Sequence, residues 1–225
     1  MAEEARKKPG NFDSLHASQL FYSSHPLGIP QVRYQRFDAP QWIAPYRVRT
    51  TAPPEQGAIH FFLDDYRFET AWNRPRKTLM ALRKYGAVMT PDFSLFTEYP
   101  LSMQIWNTYR NRWVGAYWQQ HNLTVIPCLS WSTPESFDFC FCGLDKGCVV
   151  AISSLATLEG QGHSALFCEG YREMIRQTDP RLVLCYGTLA DDSLKGLTSV
   201  IPYPTRSWKK GRLLWANGEA APGQA

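Results

Sequence analysis

The sequence predicts an α/β fold: a mainly parallel sheet of about five strands covered by helices, built as an open sheet or a partial barrel. Three observations carry this. Short, fully apolar runs recur along the middle of the chain, as buried strands require. Longer stretches with apolar residues at helical spacing separate them. Each run stops at a polar pair or a turn residue, so the chain leaves every strand in the same manner.

Residues 58–63 (AIHFFL) form the first such run, ended by Asp64 and Asp65. Asn73 then caps a helix with Pro75 in its first turn and a basic last turn before Gly86. At 100° per residue, Arg76, Lys77, Arg83 and Lys84 share one side and Leu79, Leu82 and Tyr85 the other. Residues 87–90 make the second strand, closed by Pro91 and Asp92, and Pro100 opens a long helix over 101–120. Residues 123–129 make the third strand, ending in Ser130, Trp131 and Ser132. In 137–142 (FDFCFC) rings and smaller residues alternate, which predicts a strand with two unlike faces. Residues 149–152 and 181–185 complete the set, with a helix between them that Asp179 and Pro180 stop.

Residues 1–57 hold Pro26, Pro30, Pro40, Pro45, Pro53 and Pro54 and read as an irregular arm that packs through Tyr34, Phe37, Trp42 and Tyr46. The α/β domain is expected over 58–205, and a basic, then disordered, tail over 206–225. Hydrophobic residues make up 44% of the 225, which excludes wholesale disorder. No apolar run approaches the roughly 18–20 residues of a membrane span, and the first residues, MAEEARKKPGNFD, lack the apolar stretch of a signal peptide. A cytoplasmic protein without a membrane partner is the expectation. Cys128, Cys168 and Cys185 sit inside apolar runs, where reduced thiols act as small hydrophobes.

The motifs FLDDYRFE (62–69), TPDFSLF (90–96), IWNTYRNRWVGAYWQ (105–119), VIPCLSW (125–131), FDFCFCGL (137–144), EGYREM (169–174) and LCYG (184–187) together resemble domain of unknown function 4417. The resemblance spans about 58–187 and implies a protein of phages, plasmids and other mobile elements. It implies no reaction.

Candidate chemistry divides into two classes. Net charge is +4, yet the runs at 74–84 and 206–212 hold +9 between them, so the rest of the chain is net negative. Such patches suit DNA or RNA phosphates, with Arg76, Lys77, Arg83, Lys84, Lys209, Lys210 and Arg212 as contacts. Arg110 and Arg112, set among the rings of the 101–120 helix, suit a nucleic-acid strand as well.

The second class is a hydrolase or transferase of phosphoester type. In a parallel sheet the C-terminal strand ends share one edge, where ligands bind. Asp64, Asp65, Asp92, Trp131, Ser132 and Tyr186 follow or end strands and are expected to converge there as catalytic residues, beside Ser153 and Ser154. Asp64, Asp65 and Asp92 would hold a hard cation, magnesium being the natural choice. Cys140, Cys142 and Cys148 lack a fourth ligand at familiar spacing and read as buried thiols. Glu159–Ser164 (EGQGHS) reads as a turn with a serine cap, since an isolated G-x-G is a weak phosphate signal. Walker, G-x-S-x-G and H-E-x-x-H motifs do not occur.

Overall fold

The computed structural model describes residues 13–48, 50–155, 161–189, 191–209 and 212–215; for 161–164, 206–209 and 212–215 it describes the backbone alone. Seven parallel strands run in chain order: β1 (Trp42–Pro45), β2 (Gly57–His60), β3 (Ala87–Met89), β4 (Val125–Ile126), β5 (Val149–Ser153), β6 (Leu182–Tyr186) and β7 (Val200–Tyr203). β1–β4 pair in sequence, all parallel, and so do β5–β7. A parallel bridge between Cys128 and Ala151 joins the two sets, with Leu129 N donating to Ala151 O (2.8 Å) and Ala151 N to Pro127 O (2.8 Å).

This row of strands is curled into a barrel. Ile43, Ala58, Ala87, Ile126, Ala151, Leu184 and Tyr203, one from each strand, form a single buried cluster. The ring of His60 on β2 lies 4.5 Å from that of Tyr186 on β6. In a flat sheet, four strand spacings would hold them about 19 Å apart. The last strand meets the lead-in to the first where Tyr203 Oη donates to Pro40 O (2.6 Å). The open-sheet alternative is thereby excluded. Alanines at three of the inward positions keep the interior narrow enough for side chains to fill it.

Helices α1 (Thr70–Asn73), α2 (Pro75–Leu82), α3 (Leu101–Gln120), α4 (Phe137–Cys140) and α5 (Gln161–Thr178) connect the strands on the outside. Outward residues such as Ile59, Val88 and Val125 form one outer core with α1–α3, and Val150, Ile152 and Val183 another with α4 and α5. α3 lies close to β3 because Gly115 has no side chain: a Cβ there would come within 2.7 Å of Thr90 Cγ2.

Three expectations are corrected. Trp42–Pro45, inside the expected arm, is a full strand; Pro45 is tolerated as its last residue, at the end of the ladder. Residues 137–140 are helical, because Thr133 and Pro134 start a 3-10 turn that runs into them and brings Phe137 and Phe141 onto one side, ring centroids 5.8 Å apart. Val200–Tyr203 is a strand despite Pro202, which its place at the end of the sheet allows. In the expected tail, β8 (Arg206–Lys209) and β9 (Arg212–Trp215) pair antiparallel. The arm is strapped down by indoles: Trp113 Nε1 donates to Gln19 O (2.9 Å), Trp72 Nε1 to Ser14 O (3.1 Å), and His16 stacks on Trp113 at 4.4 Å.

Removing the closing hydroxyl tests the barrel. Tyr203→Phe leaves the Pro40 carbonyl without its donor and is expected to cost about 1 kcal/mol, read as a fall of a few degrees in Tm by differential scanning calorimetry. An unchanged Tm would place the closure elsewhere.

Candidate functional site

Parity along β2 decides what reaches the C-terminal mouth of the barrel. Ala58, His60 and Phe62 turn inward, and Phe62 stacks on Tyr186 at 5.3 Å. The Phe62 amide donates to His60 Nδ1 (3.2 Å), which for a neutral ring leaves the proton on Nε2. The chain then makes a 3-10 turn over Asp65–Arg67, and this turn separates the two aspartates. Asp64 is exposed and paired with Arg67 at 3.0 Å. Asp65 instead accepts from the Ser94 amide (3.2 Å) and hydroxyl (2.8 Å) on the loop after β3.

Asp92, on that same loop, lies against Cys128 and Ser130 beyond β4. Its Oδ1 is buried with no partner among the described residues. Burial pushes the Asp92 carboxyl up to about 7; hydrogen bonds from Ser130 and Cys128 oppose this, and the nearby Asp65 charge adds to it. Asp65 is also raised, chiefly by burial, against the pull of Ser94 and Arg110. Burial and the Asp92 charge hold the Cys128 thiol well above its usual range, so it is no nucleophile at neutral pH. The mouth thus offers a carboxyl that gives and takes a proton near neutrality, flanked by a hydroxyl and a second carboxylate.

The expected convergence is therefore partial. Asp65 and Asp92 come together and Asp64 does not, and no group of three or more His, Cys, Asp or Glu that could hold a metal occurs among the described residues. Trp131 packs on Gly170 of α5 and donates to Leu166 O (3.2 Å). Ser132 is buried, its hydroxyl donating to Gln104 Oε1 (2.5 Å) and its amide to Ser136 Oγ (3.1 Å). Both hold loops. Tyr186 does reach the mouth, in the ring stack. Ser153 accepts from the Leu155 amide and Ser154 donates to Tyr186 O. Residues 156–160, and so the start of the EGQGHS segment, lie outside the described residues. Sequence reasoning did not point to His60, Ser94, Cys128 or Ser130 as site residues, though alternation within AIHFFL already puts residues 58, 60 and 62 on one side.

The basic candidates divide too. Arg112 is 1% exposed. It donates to Cys142 O (2.9 Å), Cys140 O (2.7 Å), Cys128 O (3.2 Å) and Asn111 Oδ1 (2.6 Å), and burial lowers it to about 10, still charged at neutral pH. Arg110 pairs with Glu69 (3.0 Å), bonds Asn107 and lies 3.9 Å over the Phe93 ring. Neither is available to phosphate, because α3 is buried around much of its circumference and turns these side chains into the barrel's end. Arg74, Arg76, Lys77, Arg83 and Lys84 are all exposed on α2 and its ends. The backbone of Lys209 and Arg212 lies in the β8–β9 pair, and Lys210 lies outside the described residues. A groove of ≈ 690 Å³ lies away from the mouth, along α5 beside Cys168, Arg172 and Asp191.

The family model for a domain of unknown function, DUF4417, matches residues 21–204. The chain belongs to this family. It is 44% identical over 220 residues to the Gene 1 protein of Mycobacterium phage L5, covering 96% of this chain and 95% of that one. It is 43% identical over 208 residues to the Gene 1 protein of Mycobacterium phage D29, covering 91% and 76%. The DUF4417 chain is thus similar to phage proteins along nearly its whole length. No solved structure matches it. No helix among its described residues is long and apolar enough to cross a membrane.

Two substitutions check these assignments. Arg112→Ala strips the Cys140 and Cys142 carbonyls of their guanidinium donor and leaves Cys128 O to Asn111 alone, and is expected to cost roughly 3 kcal/mol or more in urea unfolding; full stability would mean the guanidinium is dispensable. For Asp92 the folded-state pKa lies above the unfolded one, so its contribution to stability is greatest below about pH 4 and is lost as pH rises to about 7. Asp92→Asn removes that loss. The variant should gain on the wild type between those pH values, by up to ~4 kcal/mol. A pH-independent difference would show an ordinary carboxylate.

Proposed function

We propose that this DUF4417 protein is a phage-type accessory protein that associates with nucleic acid through the basic side of α2. One observation carries the reading. Arg74, Arg76, Lys77, Arg83 and Lys84 are all exposed, while Thr78, Leu79 and Leu82 anchor the opposite side of the helix. None of the five has an ion pair with a carboxylate among the described residues. Dense, uncompensated positive charge on a rigid element favours phosphates, because binding releases condensed counterions. The test is a gel-shift series between roughly 50 and 200 mM salt. Affinity should fall with salt on every sequence alike, and Arg76→Ala with Lys77→Ala should flatten the slope by about 0.7–0.9 for each phosphate that is no longer neutralised. No complex at low salt would end this reading.

A second reading is favoured by the meeting of Asp65 and Asp92 at adjacent strand ends: hydrolase or transferase chemistry at the barrel mouth, where parallel barrels place their reactive groups. Asp92 would serve as the acid–base group. A three-carboxylate magnesium site is not part of this reading, since Asp64 turns away to Arg67.

A further inference from the structure

Arg47, in the turn directly after β1, is exposed and has φ +67°, a conformation a long cationic side chain adopts at a cost. Its Nη2 donates to Thr70 Oγ1 (3.2 Å), its guanidinium lies over the Tyr46 ring at 5.2 Å, and the residue as a whole is exposed. Thr70 opens α1, and its carbonyl accepts from Thr78 Oγ1 of α2 (3.0 Å). Arg47 therefore adjoins the first turns of the basic helix. α2 descends from this rim, for Gly86 beyond its end donates to Pro54 O (3.1 Å) on the approach to β2. Arg74, Arg76 and Lys77 lie toward the mouth, and Arg83 and Lys84 toward the opposite end.

Contacts run on from Arg47 to the carboxyls. Next to Thr70, Glu69 is neutralised by Arg110, whose guanidinium covers Phe93 beside Asp92. Asp64 is neutralised by Arg67. The Asp65–Ser94 clasp holds the loops after β2 and β3 together, and each presents an exposed ring: Tyr66 is 73% exposed and Phe96 54%. Rings of that kind, beside exposed cations, suit unpaired bases.

We propose that, given binding through α2, the nucleic-acid face continues across the Arg47 turn onto the C-terminal rim of the barrel, so that a phosphodiester strand with unpaired bases lies over the mouth beside Asp65 and Asp92. Phosphates meet Arg47, Arg74, Arg76 and Lys77, and bases meet Tyr66 and Phe96.

The full chain is titrated by fluorescence anisotropy with labelled single-stranded DNA, single-stranded RNA and duplex DNA of about 20 nucleotides, longer than the about 4–16 a single-strand site spans. Arg47→Gly keeps the left-handed turn, and with Arg74→Ala it should weaken single-strand binding roughly fivefold or more, clearly more than Arg83→Ala with Lys84→Ala does. Arg47→Lys should restore part of the loss. Hydrogen exchange with the strand bound should show protection over 46–48, 64–67 and 93–96. Binding that is weakened equally from both ends of α2, prefers duplex, or leaves those segments unprotected overturns the rim path while binding through α2 stands. No binding of any strand overturns both.

Discussion

Two adjacent residues of α3, Asn111 and Arg112, hold the strand ends on which the mouth is built. Asn111 Nδ2 donates to Pro91 O beyond β3 (2.8 Å) and Cys128 O beyond β4 (3.2 Å), so one amide spans the gap where the ladder has ended. Arg112 ties the same Cys128 carbonyl to those of Cys140 and Cys142. A buried guanidinium is costly to desolvate and is retained only when its donors are met. Here carbonyls and an amide meet them with no carboxylate, so the charge is spread over the oxygens of three segments. Asp92 comes to lie against Cys128 and Ser130 because this tie fixes both flanking backbones.

The same tie shows where sequence reasoning runs out. An arginine on an aromatic helix is normally exposed, and nothing local distinguishes Arg112, which bonds carbonyls 16 to 30 residues away in the chain, from Arg76, which stands in solvent. Strand runs with a continuous apolar core, 58–63 and 149–152 above all, were legible because burial on both faces writes itself into composition. β1 and β7 were not, since each has a proline within a four-residue element whose pairing comes from neighbours. Strict alternation in FDFCFC mimicked a strand because a short helix with most of its surface buried imposes no period of its own. The convergence of Asp65 and Asp92 followed from chain direction alone; which of two consecutive aspartates turned inward depended on one 3-10 turn.

The mouth is not optimised for stability. Asp92 sits where burial disfavours its charge and one oxygen has no partner among the described residues, although asparagine would fill nearly the same space. Groups kept at such a cost concentrate where a protein does something with them. Among the described residues Asp92 is the one carboxylate with a buried oxygen that has no partner, and it sits at the ends of β3 and β4.

The two functional readings then constrain each other. A row of ionised carboxylates would repel a phosphodiester strand from the mouth, which at first sight sets the α2 surface against the strand ends. Pairing removes most of that conflict: Asp64 is offset by Arg67, Glu69 by Arg110, and Asp65 is engaged by Ser94. Asp92, raised to about 7, is uncharged in about half of the molecules at that pH. An approaching phosphate would raise it further, since like charges favour the protonated form. A strand over the rim would therefore favour uptake of a proton from solvent by Asp92 on docking, and on the acid–base reading of the mouth the charge of the ligand itself would put Asp92 into its acid form.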